Sequence, residues 1–109
     1  MKKSNSDIEI IKKEIVNRLK MLKPKKIILF GSFASGNPDE NSDLDICVVG
    51  SDGLHKMDRK KAIRKLLSDF NIAKDILTPS EKEFEFYKNE FGSVYMDIHK
   101  KGEVLWTNS

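Results

Sequence analysis

Four residues could do chemistry as a set: Gly31, Ser32, Asp43 and Asp45. They lie in Leu29-Phe-Gly-Ser-Phe-Ala-Ser-Gly36 and, after a polar loop, in Ser42-Asp-Leu-Asp-Ile46. A glycine at a strand end lets the backbone approach a ligand closely, and a serine opening the next turn offers a hydroxyl and an N–H where free N–H groups favour anions. Gly31-Ser32 therefore reads as a phosphate-binding corner. Asp43 and Asp45 are two residues apart on an expected strand, so both carboxylates leave one face while Leu44 and Ile46 enter the core on the other. Two such charges about 4 Å apart repel by roughly 4 kcal/mol at an effective dielectric of about 20, a cost that a hard divalent cation offsets. Magnesium, which takes oxygens from carboxylates and substrate phosphates, suits the pair. A third carboxylate, Asp75, falls within Ala73-Lys-Asp-Ile-Leu77. If its strand neighbours that of Asp45, Asp75 either completes the metal cluster or accepts a proton from an attacking hydroxyl.

The elements that must hold these groups follow from the apolar pattern. Ser6 and Glu9 have capping-box spacing, and Ile8, Ile11, Ile15, Leu19 and Leu22 recur at steps of three and four, predicting an amphipathic helix over about residues 7–22 that Pro24 stops. Lys26-Ile-Ile-Leu-Phe30 reads as a strand covered on both faces, ended by Gly31. Glycines, prolines, asparagines and serines allow at most one helical turn before the loop that reaches Asp43. Leu44-Asp-Ile-Cys-Val-Val49 is a second strand and Gly50-Ser-Asp-Gly53 a turn. Met57, Ile63, Leu66, Leu67 and Phe70 then mark the buried face of a helix whose other face, with Arg59, Lys60, Lys61, Arg64 and Lys65, is expected to be solvated. A third strand over residues 72–78 ends at Pro79. Ser80 and Glu83 repeat the capping-box spacing before Phe84, Tyr87 and Phe91. Gly92 interrupts that helix, Val94, Tyr95 and Ile98 continue an apolar stripe, Gly102 sits at a helix C-cap, and Val104-Leu-Trp106 is an edge strand. This alternation indicates an α/β or α+β sheet with helices packed against it.

At 109 residues there is room for one domain, spanning residues 1–109, and none for a second substrate-binding module of ordinary size. Charged residues make up 34% of the chain, yet the net charge is only +3, which does not point to direct nucleic-acid binding. The single cysteine, Cys47, excludes an internal disulfide and a multi-cysteine zinc site and fits a reducing compartment. No apolar run has the length of a membrane span and the polar start is unlike a signal peptide, so the cytoplasm is the expected location.

Gly31-Ser32, the ten residues that follow, and Asp43-Leu-Asp45 resemble the signature of the polymerase-beta-like nucleotidyltransferase superfamily, and in particular its minimal nucleotidyltransferases. The resemblance extends over nearly the whole chain, including Asp75 and the Ile98-His-Lys-Lys-Gly-Glu-Val-Leu105 ending. It implies a small mixed sheet flanked by helices. It also implies that Gly31 and Ser32 hold the triphosphate of ATP, that Asp43 and Asp45 bind two magnesium ions, and that Asp75, also a candidate metal ligand, is the catalytic base. Small members of this type resemble antitoxins that pair with an all-helical HEPN-domain ribonuclease toxin. That implies binding of such a toxin and transfer of AMP from ATP to a tyrosine on it. The other readings are a nucleotide-binding protein that neutralises its partner by occlusion without turnover, and nucleotidyl transfer to a small molecule or an RNA end. Many members carry an arginine shortly after the Gly-Ser pair. This chain has Phe33, Ala34 and Ser35 there, so its phosphate contacts are expected to differ in detail.

Plainer expectations cover the remaining reactive types. Ser35, Asn37 and Ser42 are loop residues first. Cys47 shares the face of the aspartates, yet an isolated buried cysteine is usually a small core residue. His55 and His99 have no metal-ligand partner at a useful spacing and belong at the surface. Phe84, Phe86, Tyr87, Phe91, Tyr95 and Trp106 are expected to lie mostly in the core.

Overall fold

The computed structural model describes residues 5–36, 38–39, 41–50 and 55–108, the side chains of residues 5 and 6 excepted. The Ser6 capping box, Asn37 and residues 51–53 of the proposed turn lie outside that set. The first helix, α1 (Asn5–Leu19), is followed by a short 3-10 turn at Lys20–Leu22. The helix pattern thus runs one turn too far when read from sequence: Lys23 adopts a left-handed conformation with φ 54°, and the tightened last turn precedes Pro24. The remaining elements are β1 (Lys26–Phe30), α2 (Ser32–Ser35), β2 (Leu44–Val49), α3 (Lys56–Leu66), β3 (Lys74–Leu77), α4 (Glu81–Tyr87), α5 (Val94–Lys101) and β4 (Glu103–Thr107).

The four strands form one mixed sheet in the order β3-β2-β1-β4. β1 is antiparallel to both β2 and β4, with an irregularity between Ile27 and Ile28 on the β4 side. β2 and β3 are parallel, and α3 supplies the crossover connection that a parallel pair needs. Alternation along β1 and β2 sends side chains to two separate cores. Ile27, Leu29, Leu44, Ile46 and Val48 pack with Ile15 and Leu19 of α1, Ile63 of α3 and Leu67 just after it. Ile28, Cys47 and Val49 pack with Phe84 of α4 and Ile98 of α5. The sheet is therefore the middle layer between two helical layers, and its strands are apolar on both faces because both are covered.

Two expectations about the helices are corrected. Arg59 is not on a solvated face: it is 8% exposed, and its guanidinium donates a 2.8 Å hydrogen bond to the Thr78 carbonyl. It lies so close to Gly50 that a Cβ there would come within 2.5 Å of its Cζ, so the missing side chain makes room for the arginine. Conversely, Met57 is exposed. A run of basic residues on a helix flank says nothing about which one meets a neighbouring carbonyl, and this one does.

The aromatic concentration is only half in the core. Phe84 is buried and Tyr95 and Trp106 are partly buried, but Phe86, Tyr87 and Phe91 are exposed, Phe91 by 97%. The cause is chain geometry. The capping box at Ser80 and Glu83 forms as expected and starts α4, but the helix stops at Tyr87. Phe91 then falls in the turn that follows, next to Gly92 with its φ of 84°, so it cannot continue the Phe84 stripe. Among the described residues no helix is long and apolar enough to cross a membrane.

Candidate nucleotide site

The site is built where β1 ends. Gly31 has φ 72° and ψ −151°, a region that only glycine enters readily, and it turns the chain from β1 into the single helical turn of α2. Helix α2 is closed by bonds from the N–H groups of Ala34 and Ser35 to the Gly31 carbonyl, and Gly36, also left-handed, caps it. At the start of α2 the first backbone N–H groups have no carbonyl within the helix to bond. Phe33 anchors the turn in the α1/α3 core.

Asp45 is the register partner of Phe30 on one side and of Asp75 on the other. Asp43 stands immediately before β2, which begins at Leu44, and is exposed. By alternation Asp43, Asp45 and Cys47 share the β2 face that packs against α4 and α5, and Asp75 shares that face with Leu77. The strand carrying Asp75 does neighbour that of Asp45. The neighbouring Lys74 does not pair with Asp75, since its ammonium donates to the carbonyls of Phe70 and Ile72.

Asp45 is pressed against the glycine: a Cβ on Gly31 would lie 2.1 Å from Asp45 Oδ2. Burial raises the Asp45 carboxyl above its ordinary range, and the charges of Asp75 and Asp43 raise it further. A group so placed is a carboxylate short of positive charge. Among the described residues no three His, Cys, Asp or Glu side chains form a group that could hold a metal ion by themselves. A cation here would need oxygens from elsewhere, which is how magnesium is usually held, by one or two carboxylates plus substrate phosphates. The hard oxygen donors and unbalanced charge of Asp43 and Asp45 fit such an ion.

Beside Gly31 opens a cleft of about 450 Å³. One wall is Phe30, Gly31 and Ser35, and the other is α5, through Val94, Ile98 and Lys101. The contribution of α5 was not foreseen. Its signal lay in the spacing of Val94, Ile98 and Lys101 at i, i+4 and i+7, which sets them along one helix face. Ser35 reaches the cleft, with its hydroxyl donating to the Ser32 carbonyl at 3.0 Å. Ser42 instead closes its own loop, taking a hydrogen bond from the Asp39 N–H at 2.9 Å.

Nucleotidyltransferase domains as a family match residues 8–105 of the chain. The chain belongs to that family. Two curated proteins of Methanocaldococcus jannaschii, both provisionally named as protein adenylyltransferases, are similar to it. One is 37% identical over 98 residues, covering 86% of this chain and 93% of that protein. The other is 38% identical over 72 residues, covering 64% and 72%. Among solved structures, a chain of a toxin–antitoxin complex with AMP-PNP superposes with a TM-score of 0.64 at 27% identity, over 90% of this chain and 74% of that one. A chain from a complex of tri-AMPylated Shewanella oneidensis HEPN toxin with MNT antitoxin superposes at 0.60 and 22% identity, over 93% and 73%, a likeness of fold. The mixed sheet flanked by helices is thus the polymerase-beta-like nucleotidyltransferase fold expected from the sequence.

Among the other reactive residues of this nucleotidyltransferase, Cys47 falls where the plainer expectation put it, whereas Ser35, expected in a loop, ends α2 and lines the cleft. Cys47 is fully buried, and burial pushes its thiol up to about 12. A thiol of that kind is no nucleophile at neutral pH. Ellman's reagent is therefore expected to leave Cys47 untouched until denaturant is added, and Cys47→Ala to keep nucleotidyl transfer within about twofold of the parent. Rapid labelling of the native chain would contradict this placement. His55 and His99 are exposed, but His55 has a task that spacing did not reveal: its ring accepts the Met57 N–H at 3.4 Å and caps α3.

Proposed function

We propose that this chain transfers AMP from magnesium-ATP to a tyrosine hydroxyl of a partner HEPN ribonuclease toxin and thereby acts as its antitoxin. The observation that carries the reading is Asp45, pressed against the Gly31 corner that lines a cleft of about 450 Å³, with Asp75 opposite it on the neighbouring strand and Asp43 two residues before it. The names of the two archaeal relatives support protein as the acceptor, and the toxin–antitoxin complex with AMP-PNP supports the nucleotide and the class of partner.

In this mechanism Gly31 leaves the space, and Ser32, with the first N–H groups of α2, holds phosphate oxygens. Asp43 and Asp45 are the residues that would hold magnesium, with phosphate oxygens completing its ligands. When bound, the metal supplies Lewis-acid stabilisation of the charge that develops on the α-phosphoryl and pyrophosphate oxygens. The tyrosine oxygen forms a bond to the α-phosphorus, the bond from that phosphorus to the bridging oxygen breaks, and pyrophosphate leaves. Asp75 takes the proton of the attacking hydroxyl.

A second reading, a nucleotide-binding protein that neutralises its partner by occlusion alone, is supported by the solved toxin–antitoxin complex to which the chain is similar. Mass spectrometry of the co-expressed partner separates the two. The expected result is one or more added AMP units on tyrosine, absent when Asp43 is changed to Asn. An unmodified partner held in a stable complex would replace the enzyme with the binder.

A further inference from the structure

We propose that Lys101, the last residue of α5, is the cation that receives the triphosphate in the cleft beside Gly31. The inference rests on the nucleotide-binding part of the proposed function and adds a residue on the wall facing the Gly31 corner.

Charge is the starting point. Three carboxylates stand at the β2/β3 side of the site, and a triphosphate brings roughly four more negative charges. A metal bound by two carboxylates offsets part of that sum, and the rest calls for fixed positive charge within a few ångströms of the phosphates. The turn after Gly31 supplies none: Ser32, Phe33, Ala34 and Ser35 are all neutral. Of the described residues lining the cleft, Lys101 alone is cationic.

Its ammonium is also available. Lys12 pairs with Glu9 and Glu103, Lys56 with Glu83 and Lys88 with Glu85, while Lys74 is taken up by carbonyls. Lys101 forms no ion pair among the described residues, although Asp97, another residue of the cleft, stands one turn earlier on α5. A cation without an ion pair on the wall of the cleft that Gly31 also lines is what an anionic ligand needs.

Finally, the base of the side chain is fixed. Ile98 is buried against β1, and the Gly102 N–H bonds to the Ile98 carbonyl at 2.8 Å. A Cβ on Gly102 would come within 2.6 Å of Ile28 Cγ2, so the end of α5 is pressed directly onto the sheet. Lys101 therefore extends a flexible point charge from a rigid origin, which suits phosphate recognition.

A lysine at a helix C-terminus also complements the helix dipole, so a loss of stability alone would say nothing. The test compares ligands. Mg-ATP binding is followed by titration calorimetry and adenosine binding by ligand-detected NMR, using the full chain. Lys101→Met is expected to weaken Mg-ATP by roughly tenfold or more while changing adenosine by less than about threefold. Lys101→Arg should recover most of the ATP affinity, and Lys100→Met should match the parent. Unchanged ATP affinity in Lys101→Met, or equal losses for ATP and adenosine, overturns the assignment and leaves the proposed function standing. A parent chain that binds neither ligand overturns both.

Discussion

Changing Asp45 to Asn is expected to lower AMP transfer by roughly 100-fold or more while leaving the ligand-free chain at least as stable as the parent. The amide has the shape of the carboxylate, so it fits against Gly31 where Asp45 Oδ2 now lies. What it lacks is the charge that would hold the metal. The stability half of the expectation comes from the direction of the Asp45 shift. Burial, then the charges of Asp75 and Asp43, raise its carboxyl above the ordinary value of 3.8. A carboxyl raised on folding binds its proton more tightly in the folded chain, so its contribution is favourable at low pH and is lost as pH rises through the folded value. At neutral pH the ionised group is a liability that Asn does not carry.

Calorimetry at pH 7 without magnesium or nucleotide should therefore show a melting temperature for Asp45→Asn equal to or above that of the parent. The difference should vanish below the ordinary value of 3.8, where the parent carboxyl is protonated in both folded and unfolded chains. Adding Mg-ATP should raise the melting temperature of the parent and leave the variant where it was. Transfer retained by the variant would remove Asp45 from the site. A large loss of stability without ligand would make it a structural residue instead.

How much of this could be read beforehand differs between strands and helices. The bounds of β1 and β2 agree with the sequence reading residue for residue, because a strand covered on both faces is apolar along most of its length, Asp45 in β2 being the exception, and a glycine or a polar loop ends it sharply. Strand order was not legible: nothing in the spacing of Asp75 says that its strand lies beside that of Asp45. That adjacency follows from the β2-α3-β3 crossover, a tertiary fact. The conditional reading of Asp75 could be made from sequence, but its condition could only be met by the fold.

Helix faces were harder to read. Arg59 looked like one member of a solvated basic run, and only the approach of Gly50 and the Thr78 carbonyl draws it inward. Phe91 looked like the next member of an apolar stripe, but the helix had already ended. In the site the same asymmetry holds. Of the residues with a recognisable motif, Gly31 lines the cleft and Asp45 is pressed against Gly31. The other wall is the short helix α5, whose Ile98 and Lys101 belong to an ending the family resemblance includes but to which it assigns no role, so a part for Lys101 became visible only when α5 was seen facing Gly31.

The sharpest geometric expectation concerns Gly31. Gly31→Ala is expected to lower the melting temperature by roughly 10 °C or more and to abolish transfer, for two separable reasons. The first is backbone strain, since φ 72° with ψ −151° lies where an L side chain costs on the order of 1–3 kcal/mol. The second is collision: the new Cβ would sit 2.1 Å from Asp45 Oδ2, displacing the carboxylate that the mechanism needs. A second substitution tells them apart. In Gly31→Ala/Asp45→Ala the offending oxygen is gone, and the nearest remaining Asp45 atom, its Cβ, is 3.4 Å away, an ordinary contact. The double variant should therefore melt above Gly31→Ala while remaining inactive, with the recovered part measuring the collision and the residue of the loss measuring the strain. If Gly31→Ala instead melts with the parent and transfers AMP at its rate, the close approach of Asp45 to the strand end is not what shapes this site.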